Sequence, residues 1–194
     1  SKKKGEDLCF KYMNSGLDIT IIRPRTILGE KRLGIFSILF EWIEQNKKVP
    51  VLNNGKNHYQ FIDIRDLVDA IYKSSILIGS NVFNIGSEKF DTINNTLRTL
   101  IEYVNSESII KNIDQNFMFK MLTVLSKMNF IPLQDYHLKV YGESVYFDIS
   151  KAKKILQWSP KFTSTESMIE SYKSYIFQKK MDCWIKKIHP IIQF

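Results

Sequence analysis

The sequence predicts an α/β fold: the end of a doubly wound parallel sheet followed by a smaller, mostly helical lobe. Three observations predict it. An amphipathic stretch stops at Asn14-Ser15-Gly16 and gives way at once to the apolar run "LDITIIRP"; helix, glycine turn and strand are the repeating unit of such sheets. Strand and helix patterns then alternate as far as "NVFNIG". Beyond that point helical spacing dominates and extended stretches are short.

Each element has a local reason. In residues 6–14, Leu8, Cys9, Tyr12 and Met13 share one stripe, and Gly16 supplies a left-handed cap. Ile19, Ile21 and Ile22 mark a mostly buried strand closed by Pro24, whose missing N–H and fixed φ let a loop leave the strand end. Phe36, Leu39, Phe40 and Ile43 follow helical spacing, and "VPVLNNG" is a short strand running into an Asn-Gly turn. "YQFIDI" alternates like a strand with two different faces, and Asp66 stands where the N-cap of the next helix belongs.

"NVFNIG" is a short buried strand, with Gly86 permitting a tight turn. Ile93, Leu97, Leu100, Ile101 and Val104 mark an amphipathic helix capped by Asp91 or Thr92, and "SIIKNI" is a brief strand. Phe117 to Met128 reads as a helix ended by Pro132, "VYFDI" as extended chain, and Ser150 as the cap of "KAKKIL". Met168, Ile169, Tyr172 and Ile176 form a last helix.

Composition narrows the function classes. The 194 residues are 44% hydrophobic and 25% charged, the balance of one globular domain with a real core. The formal charge is +8, but the lysines are dispersed and not interleaved with glycine and stacking aromatics. That is a solvated basic surface and argues against a nucleic-acid partner. Cys9 and Cys183 stand alone, and neither they nor His137 and His189 have metal-ligand spacing, so no metal is expected. Two reduced thiols suit the cytoplasm. No apolar run is long enough for a membrane span.

Five segments, "SKKKGE", "GLDITIIRPRTILG", "YQFIDIRDLVDAI", "VFNIG" and "FDISKAKKILQWSP", occur in one order and at suitable spacing. Together they resemble the C-terminal portion of the NAD-dependent epimerase/dehydratase family, a branch of the extended short-chain dehydrogenases with a Rossmann-like fold. The resemblance implies that residues 1–194 form the C-terminal part of that domain, with the dinucleotide-binding half absent, since the glycines form no G-x-x-G-x-x-G turn.

The same resemblance implies site residues. "SKKKGE" is similar to the end of a YxxSKxxGE pattern, so Lys2 would be the active-site lysine that holds the nicotinamide ribose and tunes a tyrosine lying before Ser1. A phenol titrates near pH 10 and needs a fixed ammonium to work near neutrality, and four-residue spacing places both groups on one helix face. Pro24 and Arg25 would border the cofactor, NAD or NADP. Thr26, Arg32, Leu33, Phe36 and Tyr59 would line the substrate pocket.

Tyr59 departs from the pattern, because relatives place a diphosphate-binding arginine there; His58, Arg32 and Arg65 are the candidates to replace it. Arg23 is divided between a site role and an ion pair within the fold. The substrate implied is a small molecule, a nucleotide sugar, handled by transient hydride transfer; the chain by itself would be inactive. Homodimerisation through the lysine-bearing helix is a further expectation. Two other readings stay open: a non-catalytic relative that binds a ligand or partner, and a dehydrogenase of a non-sugar substrate such as a sterol.

Overall fold

A computed structural model describes residues 2–30, 36–114 and 143–188. The elements run α1 (Lys2–Asn14), β1 (Thr20–Pro24), β2 (Thr26–Leu28), α2 (Phe36–Glu44), β3 (Val49–Leu52), a 3-10 turn (Asn53–Gly55), β4 (Phe61–Asp63), α3 (Ile64–Ser75), β5 (Asn81–Ile85), α4 (Ile93–Tyr103), β6 (Ile110–Ile113), α5 (Ser150–Ile155) and α6 (Ser164–Ile188). The helix expected over 117–128 lies outside the described residues.

Every described ladder is parallel, as the fold class requires. β1 pairs with β5, β2 with β4, and β3 with β6. The chain passes from the first ladder to the second at Arg25, whose N–H donates to the Ile85 carbonyl at 2.8 Å. Pro24 therefore does not release a loop, as expected; it is the last paired residue of β1, opposite Ile85, and the strand direction resumes in β2 one residue later.

Two apolar clusters hold these ladders. One gathers Leu28, Phe40, Ile43, Val49, Phe61, Leu97, Leu100 and Met168 beneath α2, α4 and α6. The other gathers Ile62, Leu67, Ala70, Phe83, Ile85 and Trp158 between α3, β5 and α5. β4 lies between them, with Phe61 in the first and Ile62 in the second, so it is buried on both faces and not amphipathic. β1 departs the other way: no residue of it is fully buried. α1 buries none either, and its stripe stays exposed at Leu8 and Tyr12.

Gly16 does take the left-handed conformation, at φ 91°. Two other local expectations are corrected, and a third, open between Asp91 and Thr92, is decided. Asp63, not Asp66, caps α3, accepting from the Arg65 N–H at 2.9 Å. Both carboxylates stand at the helix start, and the strand ends at Asp63, one residue before the end of the "YQFIDI" pattern. Asp66 is buried inside the first turn and accepts the backbone N–H groups of Lys161 and Phe162 at 3.0 Å. Ser150 is the first residue of α5, and the Asp148 carboxylate accepts from its N–H at 2.8 Å. Thr92 is the cap of α4, accepting from the Asn95 N–H.

The two carboxylates titrate in opposite directions. Burial pushes Asp66 up and outweighs the two amide bonds that favour its charged form. Burial also acts on Asp63, but the guanidinium and backbone N–H of Arg65 outweigh it and hold that carboxyl below its usual range. Because the folded value of Asp63 is depressed, its stabilisation is complete above the unfolded value near pH 3.9 and is lost as pH falls through the folded one. Asp63→Asn is therefore expected to lose about 1 kcal/mol at pH 7, a figure held low because Arg65 is half exposed and screened. In urea melts the gap to wild type should close as pH drops below about 3.9.

Candidate functional site

In open α/β sheets, ligands bind beyond the carboxyl ends of the parallel strands. β1 and β5 end at Pro24 and Ile85, and the residues just beyond form a compact polar-aromatic cluster. The Arg25 guanidinium lies over two rings, 5.4 Å from the Tyr59 centroid and 5.1 Å from that of Phe147. The Tyr59 and Thr26 hydroxyls are 3.0 Å apart. Phe61 stacks on Tyr59 at 5.0 Å and meets Phe36 edge-on at 5.4 Å.

Four of the predicted site residues thus come together: Arg25, Thr26, Phe36 and Tyr59. Pro24 adjoins them as the last residue of β1. Arg32 and Leu33 lie outside the described residues.

A buried glutamine builds the back wall. Gln60 is 1% exposed and donates to the Ser87 carbonyl at 2.8 Å, while its side-chain oxygen accepts the Phe147 N–H at 2.8 Å. It thereby fixes the backbone that carries the Phe147 ring onto Arg25. Gly86 makes room for it: a Cβ there would come within 2.4 Å of the Gln60 amide carbon. Gly86 is thus needed for close approach and not, as expected, for a turn requiring positive φ. Ser164 at the start of α6 completes the wall, accepting from the Phe61 N–H at 3.0 Å and meeting the Ser87 hydroxyl at 2.6 Å.

A cation not among the expected replacements lies against the ring at position 59. Arg65 is engaged elsewhere, ion-paired to Asp63 and stacked 3.6 Å over Phe162. His58 packs edge-on against Phe90. Arg25 instead places its cation on the Tyr59 ring. Its Nε is buried without a hydrogen-bond partner among the described residues, an arrangement that costs free energy unless an acceptor completes it. Phe147 and Gln60 were missed because their roles depend on a contact between distant segments, and neither carries a local signal.

Lys2 is brought to the same end of the sheet by α1. Glu6 pairs with Arg23 on β1, with the Arg23 Nε donating to Glu6 Oε2 at 3.1 Å; this decides Arg23 in favour of an internal pair. Hydrogen bonding from Arg23 holds the partly covered Glu6 carboxyl below its usual range. Lys2 is exposed, one turn N-terminal to Glu6 and on the same helix face, about 6 Å further along the axis.

Residues 1–86 match the profile of the NAD dependent epimerase/dehydratase family. That stretch carries the pattern of that family. The matched span contains Lys2, Arg25, Thr26, Phe36 and Tyr59, while Phe147 lies beyond it.

Uncharacterized protein y4nG of Sinorhizobium fredii is 39% identical over 176 residues, covering 90% of this chain and 44% of its own length. A UDP-glucuronate 4-epimerase of Thermodesulfobacterium geofontis is 24% identical over 172 residues, covering 87% of this chain and 46% of its own. The chain thus spans about half the length of these relatives. The fold is shared with the crystal structure of Bacillus cereus UDP-glucuronic acid 4-epimerase in complex with UDP-glucuronic acid and NAD, with a TM-score of 0.67 at 21% identity over 90% of this chain and 50% of that one. The Rossmann-like architecture expected for this family is therefore present.

The close fit at Gly86 sets up a paired test. Gly86→Ala should lose about 1–3 kcal/mol, the usual cost of overpacking. Gly5→Ala, in the first turn of α1 with open space around its Cβ position, should gain about 0.4–1 kcal/mol. Urea unfolding of the two variants beside wild type reads both signs.

Proposed function

We propose that this chain forms the nicotinamide-facing and sugar-facing portion of an NAD(P)-dependent epimerase or dehydratase acting on a nucleotide sugar. The observation that carries the proposal is the Arg25 cluster at the carboxyl ends of β1 and β5, with its orphaned Nε and its neighbouring Thr26 and Tyr59 hydroxyls. Such a site offers one fixed cation, two hydroxyls and an aromatic wall. These are the groups that orient a hydroxylated, anionic ligand.

The residues fit one end of a dinucleotide. In this reading Lys2 and Pro24 border a ribose and nicotinamide beside the sheet end. No residue here supplies a glycine-rich pyrophosphate turn, because the chain contains no G-x-x-G-x-x-G. The proposed activity thus belongs to a longer protein that contributes that turn and the general acid/base tyrosine, and these 194 residues alone would be inactive.

When bound, the nicotinamide supplies reversible acceptance of hydride from a sugar carbon. Lys2 fixes the ribose by hydrogen bonds and favours the phenolate of the partner tyrosine through its charge. Arg25 binds an anionic group of the substrate, held in place by Tyr59 and Phe147. Thr26 and Tyr59 orient sugar hydroxyls, and Phe36 with Phe61 keeps one side of the pocket dry.

The deciding experiment uses the full-length protein with NAD and UDP-glucuronate or UDP-glucose, following epimer or dehydrated product by NMR. Wild type should turn over, and Lys2→Ala should lower kcat about 10²-fold or more by removing the group that tunes the general acid/base. Arg25→Met should mainly raise KM, by about tenfold or more. A full-length protein that binds neither NAD nor a nucleotide sugar would overturn the proposal.

A further inference from the structure

α6 changes character at its middle. Up to Ile176 it belongs to the domain: Met168 and Tyr172 are buried, and Ile169, Tyr175 and Ile176 pack against the same core. From Phe177 to Ile185 every residue is exposed, so this part of the helix extends past the domain surface. The apolar residues do not stop there. Phe177, Met181, Trp184 and Ile185 continue at helical spacing and are 63%, 40%, 59% and 50% exposed.

At 3.6 residues per turn this second stripe lies about half a turn from the first. The core-facing side of the helix continues instead as Lys179, which turns back to Glu44 on α2 at 2.5 Å. One helix thus carries two apolar stripes on opposite sides, and only the first has an occupant among the described residues.

We propose that residues 177–188 dock lengthwise on an anionic lipid surface. The charge pattern selects this occupant. The stretch carries Lys179, Lys180, Lys186 and Lys187 against Asp182 alone, in a chain of net charge +8. A stripe holding Phe and Trp on a lysine-rich helix is the pattern of helices that lie in the headgroup plane. Trp184 suits that boundary, with an apolar ring and one polar N–H.

A second copy of the helix would bring two sets of four lysines together against one aspartate from each copy, and like charges at that range oppose association. Spanning is excluded by length, since these residues rise about 18 Å against a hydrocarbon core of about 30 Å. No described helix is long and apolar enough to cross a membrane. The docking does not depend on the proposed activity.

The test mixes full-length protein with phosphatidylcholine vesicles, with and without about one third phosphatidylglycerol, and reads the vesicle-bound fraction by flotation. Binding is expected to the anionic vesicles only, to weaken with added salt, and to shift Trp184 emission to the blue. The combined variant Phe177→Ser, Met181→Ser, Trp184→Ser should lower the partition coefficient at least about tenfold while leaving Tm nearly unchanged, since these side chains lie outside both apolar clusters. Lys180→Glu with Lys187→Glu should weaken binding without touching the apolar stripe, and carries the test if the first variant misfolds. No binding to anionic vesicles would overturn the proposal, as would binding that both variants retain. So would a dimer, seen by sedimentation, that the apolar variant dissolves, because the stripe would then belong to a second copy.

Discussion

The carboxylate of Asp66 fastens the two halves of this chain together. It is buried at the start of α3 and takes the backbone N–H groups of Lys161 and Phe162. One turn of chain away, the Trp158 indole N–H donates to the Asp66 carbonyl at 3.1 Å, and the ring is 1% exposed. Apolar burial supplies most of the free energy of folding but has no direction. The bonds at Asp66 supply direction: they lay the connection from α5 to α6 across α3, so that Trp158 enters one core cluster and α6 starts over the other. The cost is visible in the carboxyl itself, which burial pushes up even with its donors in place.

The position of α6 in turn satisfies β4. Ser164 accepts the Phe61 N–H and meets Ser87, closing a strand that is buried on both faces and cannot leave a donor unpaired. Next along the same strand, Gln60 holds Phe147. The candidate site is therefore a product of this fastening. Arg25 comes from the crossing between β1 and β2, Tyr59 from the approach to β4, and Phe147 from the returning second half. Only a chain folded back on itself stacks these three. The aromatic faces favour the cation between them and leave its Nε buried and unspent. This is the local frustration expected of a site prepared for a ligand.

Strand and helix order, the Gly16 cap, the Asn54-Gly55 turn and the fold class were legible in the sequence, because each rests on residues within a few positions of one another. The family pattern was legible for the same reason, as short runs in fixed order, and it named Arg25, Thr26, Phe36 and Tyr59, which the fold brings together. The helix over 164–188 was legible only in its first half. Its two stripes, on opposite sides, cancel as a single periodic signal, so apolar spacing followed the stripe that packs and lost the one that does not.

What the sequence by itself determined about this protein is its local grammar: which segments are strands or helices, and that residues 1–86 carry the pattern of one enzyme family. Tertiary structure alone decided between Asp63 and Asp66 as the cap, since both are acidic residues at one helix start and only the arrival of Lys161 and Phe162 assigns the second to another task. It also decided that Gly86 serves Gln60, that Arg23 answers Glu6, and that the Arg25 guanidinium lies over the Tyr59 ring. Each of these is a pairing between segments far apart in the chain, set by where the buried polar groups find partners, and no local spacing encodes it.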